Sequence, residues 1–448
     1  MKIKKCMCIA ALLTLSVMSA GCGATNNVDA TVTANAVTSV SSDTVEENTE
    51  EVIYVHGDEG YFSLLDNGSL SEVKDQFLGT CWAFTASSIM ESSWKIRTGE
   101  GITIDPKDIV DTCLLSSNRD EGLFLFSDSL RYSSGGHGIE IVYSLTNGFG
   151  DYYLAQAQFF GPNIVEYAED LIQDNYMNYS WFDYDRAPIQ EYIREYGPLE
   201  VFLNHKSANL INGYYAYNGA DNYNIDHVVM VVGWDDNFPR DNFYVPASQD
   251  GAWLMQNTFG SDFGEDGYYW VSYDTPMIFG NGYILLDDYE KILSYDSSYY
   301  DSISLGESTT VANHFKEAGQ LKAVGTFIVS YDMKIHVEIL DKDLATVLYE
   351  TDCEYDVPGY YTVFLDELID VEDYYVAITY YGEVPVEGNC VEELFSMGGF
   401  RYYYSVSCEQ DQSYVLVDGE WLDLYDEDTM NRIGFEGSTN NCCIKAIY

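Results

Sequence analysis

From residue 81 to 98 the apolar positions Trp82, Ala86, Ile89, Met90 and Trp94 recur at helical spacing. That period predicts an amphipathic helix over Cys81–Thr98 with this stripe as its buried face. Thr80 stands where a helix N-cap belongs and Gly99 where a left-handed stop belongs. Two shorter helical segments follow. Ile139–Leu145 comes after the Gly135-Gly136 turn, and Ala187–Tyr196 is ended by Gly197-Pro198. The period then changes. Leu199–Leu203, Asp226–Trp234 and Gly251–Asn257 read as strands, and Tyr268–Tyr273 completes a hairpin after the glycine-rich loop Thr258–Gly267. A helical stretch followed by a strand-rich one predicts an α+β domain of two lobes. A run of Tyr, Asp and Ser at Tyr289–Tyr300 marks a boundary. Beyond it Lys334–Ile339 alternates strictly, Tyr374–Tyr380 is similar, and Asn441–Tyr448 reads as a final strand, so the tail is predicted to be an all-β sandwich.

The N-terminus changes the picture of where the chain works. Lys2, Lys4 and Lys5 precede an apolar run from Cys6 to Ala20, too short for a membrane span and of the form of an export signal. It ends Met18-Ser19-Ala20-Gly21-Cys22, which resembles a bacterial lipoprotein box with Cys22 as the lipidated residue, although Ser19 stands where such boxes carry Leu. Cleavage after a small residue with full secretion is the alternative, and either places the mature chain outside the cytoplasm. Residues 23–55, rich in Thr, Ser, Asn and Val with a Glu-rich finish, read as a flexible spacer. The expected organisation is thus signal 1–22, spacer 23–55, first domain 56–290 and tail 291–448.

Charge narrows the partners. With 73 acidic against 21 basic residues the formal net charge is −52, a field that repels nucleic acid and anionic lipid. Membrane contact is expected only through an N-terminal lipid anchor. Solubility is the simplest reading of the charge, and attraction of cationic ligands is the other. Cysteines are distributed unevenly. Cys113 is alone in the first domain, and Cys353, Cys390, Cys408, Cys442 and Cys443 lie in the tail, so few or no structural disulfides are expected. None has CxxC spacing, which speaks against zinc. Asp235-Asp236-Asn237 with Asp241 offers oxygen ligands, but a solvated turn is the favoured reading, and neither a metal nor a cofactor is expected.

Candidate chemistry centres on Cys81. A thiol attacks as thiolate, and a helix start and a nearby imidazolium both favour that form. Of His56, His137, His205, His227, His314 and His336, His227 is best placed because it opens a buried-type strand. Asn257 ends the next strand, where its amide is suited to orient the ring. Gln76, just ahead of Cys81, is suited to donate to an oxyanion together with the backbone N–H of Cys81. Cys113 reads as an inert buried residue.

These motifs together resemble the papain-like cysteine peptidases, more closely the bacterial exported subgroup with a C-terminal lectin-like domain. The matching stretches are Val73-Lys74-Asp75-Gln76 with Gly79-Thr80-Cys81-Trp82-Ala83-Phe84, then Asp226-His227-Val228 through Gly233-Trp234-Asp235-Asp236-Asn237, and Gly251-Ala252-Trp253 through Gln256-Asn257 with Gly260 and Gly264–Tyr268. His227 lies 146 residues beyond Cys81, within the roughly 130–150 residue separation known for that family, and Asn257 follows a further 30 on. By position the resemblance makes Cys81 the nucleophile, His227 the base and acid, Asn257 its orienter and Gln76 the oxyanion donor. It makes Gly135-Gly136 the pair along which substrate backbone lies, and Asp226 a residue that tunes the ion pair. It implies a two-lobed peptidase domain, strongest over Tyr61–Ile278, acting on protein or peptide, and a tail that binds glycan or cell wall. Three departures stand out. Gln76 is five positions before Cys81 where the family has six. Phe259 stands where the family has a tryptophan shielding the Asn–His bond. The 38 residues from Cys22 to Gly60 cannot hold the long inhibitory propeptide of plant and lysosomal relatives. Besides a peptidase, the readings left open are a catalytically silent scaffold whose tail adheres to glycans, and another Cys-His enzyme such as an acyltransferase or wall amidase.

Overall fold

The computed structural model describes residues 54–448 apart from 58, 115–130, 134, 137, 148–150, 161–183, 207, 212, 222, 224, 297–300, 389–390, 398–399, 406–407 and 436–439. The export signal, Cys22 and nearly all of the spacer, together with His137 and Cys390, lie outside the described residues.

Helix α1 spans Cys81–Thr98, the bounds its periodicity predicts, and Gly99 ends it at φ 74° with its N–H on the Lys95 carbonyl. Two expectations fail. Burial is not a stripe, since every residue from Cys81 to Ser93 is buried. Alanines and serines on the remaining faces let the helix be enclosed on all sides, by α2 (Pro106–Cys113), α3 (Gly138–Thr146) and the strands. Thr80 is not a side-chain cap: its hydroxyl donates to the Phe77 carbonyl in the preceding loop instead. Helix α4 (Arg186–Glu195) has a capped start, with the Asp185 carboxylate accepting from the Ala187 N–H.

In chain order the first region contributes β1 (Tyr61–Ser63), β2 (Leu154–Phe159), β3 (Leu199–Leu203), β4 (Asn209–Ile211), β5 (Tyr214–Tyr217), β6 (His227–Asp235), β7 (Ala252–Gln256), β8 (Tyr268–Ser272), β9 (Met277–Phe279) and β10 (Asn281–Leu285). Among the described residues one sheet has the order β4-β5-β8-β7-β6-β3-β9, with β1 also on β6. Strands β3 and β6–β9 are buried at every position, which is why they read as mainly apolar runs without polar alternation. The hairpin expected from β7 and β8 forms, and the register sets Leu203 opposite His227.

The tail contributes β11 (Ile292–Ser294), β12 (Asp301–Ile303), β13 (Thr309–Phe315), β14 (Gly319–Ile328), β15 (Met333–Asp341), β16 (Val347–Tyr355), β17 (Gly359–Val371), β18 (Tyr374–Tyr380), β19 (Val384–Gly388), β20 (Val391–Met397), β21 (Phe400–Ser405), β22 (Ser413–Val417), β23 (Glu420–Asp423), α5 (Glu427–Ile433), β24 (Asn440–Cys442) and β25 (Ile444–Ile447). Two sheets, β16-β15-β18-β13-β22-β23 and β10-β2-β17-β14-β25-β11, enclose a core that includes Val311, Val324, Val337, Ile378 and Ile444. The predicted final strand is two: at Cys443, whose N–H donates to the Pro385 carbonyl, the chain leaves the β12-β19-β24 sheet for β14 and β11.

The second of these large sheets crosses the boundary read from sequence. Strands β2 and β10 come from the first region, and β2 pairs with β17 through Gln156–Gln158 and Gly359–Tyr361. Gly359 permits this, because a Cβ there would sit 2.2 Å from the Ala157 carbonyl oxygen. Beside the crossing lies an ion pair with no exposure on either side chain. Lys445 Nζ donates to Asp296 Oδ2 (2.7 Å), Asn147 Oδ1 (2.7 Å) and Ser294 Oγ (3.0 Å), which uses all three of its hydrogens.

Candidate active site

Cys81 is the first residue of α1, 4% exposed, with no side-chain cap and no acidic residue in the first turn. The helix start therefore presents an uncompensated partial positive charge to the thiol. One turn on, the Thr85 hydroxyl donates to the Val228 carbonyl at 3.1 Å, which fixes this end of α1 against the first residues of β6. Residues four apart share a helix face, so this contact docks the start of α1, where Cys81 stands, at the end of β6 that His227 opens. The loop before Cys81 is anchored separately. Lys74 Nζ donates to Glu91 Oε1 (2.8 Å), Ser87 Oγ (2.9 Å) and the Ile104 carbonyl (3.0 Å), tying it to α1.

His227 is fully buried, and its Nε2 lies 2.9 Å from Asn257 Oδ1. The same oxygen accepts the Thr258 backbone N–H at 2.7 Å. An atom that accepts from a backbone N–H must be the amide oxygen, so Nε2 carries the ring hydrogen and Nδ1 is the basic nitrogen. Nδ1 is buried and makes no hydrogen bond. Phe259 stacks on the ring at 4.6 Å and 18°, which covers the Asn–His pair as expected of the missing tryptophan. Burial pushes the imidazole pKa down to about 4, opposed by the Asn257 bond. A neutral imidazole held in this way can take a proton at Nδ1 and return it.

The short loop from Gln76 to Cys81 closes through backbone strain. Leu78 adopts φ 54°, a left-handed value unusual for leucine. Gln76 is pinned on three sides: its N–H donates to the Thr258 carbonyl (2.7 Å), its Oε1 accepts from the Thr258 hydroxyl, and its Nε2 donates to the Leu78 carbonyl (2.9 Å). An amide nitrogen has two hydrogens, so one remains beyond that bond.

Gly135 (φ 79°) and Gly136 lie against this loop. A Cβ on Gly136 would come within 2.4 Å of the Trp82 indole, and Gly79 packs 3.0 Å from the Ser133 carbonyl by the same measure. Close packing on α1 thus requires a glycine at 136. Asp226 is not directed at the imidazole. Its carboxylate accepts from the His205 N–H (2.6 Å) and from Asn204 Nδ2 (3.1 Å), closing the turn after β3.

That turn carries a residue to which sequence reasoning gave no role. The His205 ring packs edge-on to His227 at 5.1 Å and against Phe259 at 5.1 Å. Its only sequence signal is its position two residues past Leu203, the partner of His227. Burial, then the charge of His227, pushes its pKa down to about 3. Both rings have lower values folded than the roughly 6.5 of an unfolded histidine. The unfolded chain therefore binds more protons as pH falls below about 6.5, and stability is lost through that window. Relative to His205→Phe, the wild-type urea midpoint is expected to fall between pH 7 and 4.5; the comparison cancels the opposite contribution of Glu200, a buried carboxyl pushed up to about 7 by its burial.

The other sequence candidates are structural. Asp235 accepts from His56 Nδ1 (2.6 Å), Tyr54 (3.1 Å) and the Asn237 N–H (2.8 Å), so the acidic turn is occupied by side chains of this chain. Cys113 is buried and its thiol is pushed up by that burial.

A cysteine opening a central helix that is docked at the strand end carrying a His–Asn pair is the arrangement of the papain-like fold. Residues 62–279 match the family described as papain family cysteine protease, and residues 292–448 match that described as lectin like domain. Residues 62–279 are thus a papain-family domain, followed by a lectin-like domain over residues 292–448. Relatives include viral cathepsin of Choristoneura fumiferana nuclear polyhedrosis virus, 24% identical over 208 residues (45% of this chain, 56% of that protein). Procathepsin L of Mus musculus is 24% identical over 217 residues (47% and 59%). The chain thus spans somewhat over half the length of these curated relatives. Among solved structures, the cysteine protease and lectin-like domains of Cwp84, a surface layer associated protein of Clostridium difficile, superpose with a TM-score of 0.62 at 17% identity, covering 87% of this chain and 89% of that one. Cwp84 after propeptide cleavage gives the same score over 86% and 98%.

Proposed function

We propose that this chain is an exported cysteine-type endopeptidase that hydrolyses peptide bonds through a thioester on Cys81. The observation that carries the reading is the His227 ring, tethered at Nε2 by Asn257 with its basic Nδ1 turned loose in a buried site next to the start of α1. Nδ1 takes the thiol proton, and the thiolate, favoured by the helix start, attacks the scissile carbonyl carbon. The oxyanion is met by the Cys81 backbone N–H and the second Nε2 hydrogen of Gln76. His227 then protonates the leaving amine as the C–N bond breaks. Water, deprotonated by the same nitrogen, attacks the thioester and releases the acid and the thiol. Gly135-Gly136 offers backbone to an extended substrate, and Asp226 shapes the rim by holding the 204–205 turn. Cys22 is the lipid anchor that keeps the domain at the cell surface, or the chain is secreted whole; the surface-layer association stated for Cwp84 supports an extracellular site of action. The lectin-like tail binds glycan or cell wall.

One observation favours the silent-scaffold alternative: Gln76 Nε2 already donates to Leu78. The two readings separate by experiment. A peptidyl epoxide is expected to form a single adduct, mapped by mass spectrometry to Cys81, and none on Cys81→Ala. An unlabelled wild-type protein would sink the peptidase reading. Gln76→Ala is expected to lower kcat by about 10²–10³-fold while labelling at Cys81 persists, as read from steady-state hydrolysis of a fluorogenic peptide.

A further inference from the structure

The junction of the two regions opens on one side into a cleft of about 840 Å³, within the range of ligand sites and in a place where they are common. Its floor is aromatic: Tyr192 and Tyr361 are buried in it, Tyr196 and Tyr355 are partly covered, and Tyr331 stands at the mouth, 52% exposed. Its rim is acidic. Glu191 and Glu195 project from α4 on one side, and Asp332 and Asp356 from the ends of β15 and β16 on the other. No lysine or arginine is among the described residues that line it.

The cations nearest in sequence are committed elsewhere. On the same helix Arg194 lies over the Trp234 ring at 4.6 Å and Arg186 over the Tyr273 ring at 4.2 Å, while Lys334 pairs with Glu354, a further carboxylate of the cleft, and leaves the four rim carboxylates uncompensated. Like charges facing one another across a half-enclosed space repel, and a cation between them relieves that repulsion. Tyrosine faces attract cations as well. We propose that this cleft binds an arginine- or lysine-rich peptide stretch of a partner protein. Arginine fits both surfaces, since its planar guanidinium stacks on aromatic rings and pairs with carboxylates in a fork. A neutral saccharide would use the floor and leave the rim charges uncompensated. A bare metal ion would use neither the rings nor the volume.

The binding does not depend on the hydrolysis proposed above. It does lie on the flank of the same lobe: Met277 in its wall opposes Leu203, which opposes His227, so two strand spacings, about 10 Å, separate them across the sheet.

The test uses the full chain with Cys81→Ala, so that no probe is cleaved, and fluorescence anisotropy of a labelled hexa-arginine peptide at physiological salt. Neutralising the rim together (Glu191→Gln, Glu195→Gln, Asp332→Asn, Asp356→Asn) is expected to weaken binding at least tenfold. Neutralising four exposed carboxylates on and beside β17 (Asp366→Asn, Glu367→Gln, Asp370→Asn, Glu372→Gln) is expected to change it less than twofold. Tyr331→Ser is expected to weaken it about threefold. Equal losses from both sets would mean attraction to the overall charge alone and would overturn the proposal. So would absence of binding, or a neutral hexasaccharide that binds more tightly than the peptide and is indifferent to the rim variants. Thermal melting of each variant shows that the fold is kept.

Discussion

Alanine at His227 is expected to lower kcat/KM for a peptide amide by about 10³-fold or more, with the urea midpoint unchanged or raised. The two halves of this expectation have different origins. Without the imidazole, the base that takes the thiol proton and the acid that returns one to the leaving amine are both lost. Effects of that size are usual when one member of a catalytic unit is lost, because the others cannot act alone. Stability behaves oppositely, because the native ring is held with Nδ1 buried and unbonded, an arrangement that disfavours folding. A loss of activity accompanied by a loss of stability would point to a structural histidine. A loss of activity alone points to chemistry. Asn257→Ala is the informative companion: the ring remains, but its Nε2 tether and the stop on its rotation are gone.

Lys445→Met is expected to destabilise the protein by about 3–5 kcal/mol, the usual consequence of stripping one partner from a buried ion pair. Neither side chain has any exposure, so water cannot replace the lost partner of Asp296. Asn147 and Ser294 would also lose a donor. The double variant Lys445→Met/Asp296→Leu removes both charges and is expected to recover part of the loss, since two apolar side chains leave no unpaired carboxylate. Urea unfolding of the two singles and the double gives the coupling directly. A double variant as unstable as the sum of its singles would mean that the two charges do not support each other.

Much of this arrangement could be read from the chain, for identifiable reasons. The bounds of α1 follow from local signals, an apolar period and a glycine past its end, and both operate within a few residues. The strands β3, β6 and β7 announce themselves as apolar runs between turns. The His227–Asn257 pairing was legible because two adjacent strands end where those residues stand. What escaped was set by neighbours distant in sequence. Thr80 has the composition of a cap, but the shortened loop gives its hydroxyl a nearer acceptor in Phe77. Asp226 sits beside the histidine in sequence yet alternates to the other side of the strand start, where the 204–205 turn claims it. His205 is ordinary by sequence and becomes notable only through the β3–β6 register. The final strand splits at Cys443 because two different sheets compete for one stretch of apolar residues.

The sheet shared by the two regions also bears on how this molecule ages in a protease-rich setting. The segment joining β10 to β11 includes exposed carboxylates at Asp287 and Asp288, and a cut there would sever the covalent link between the regions. It would not release the tail. Strand β2 would remain hydrogen-bonded to β17, and Tyr360 would remain in the same core cluster as Tyr143 and Tyr192. Either fragment alone would expose a row of unpaired backbone groups at its torn edge, so the pieces complement each other. A nicked copy would run as two bands once denatured and as one particle before.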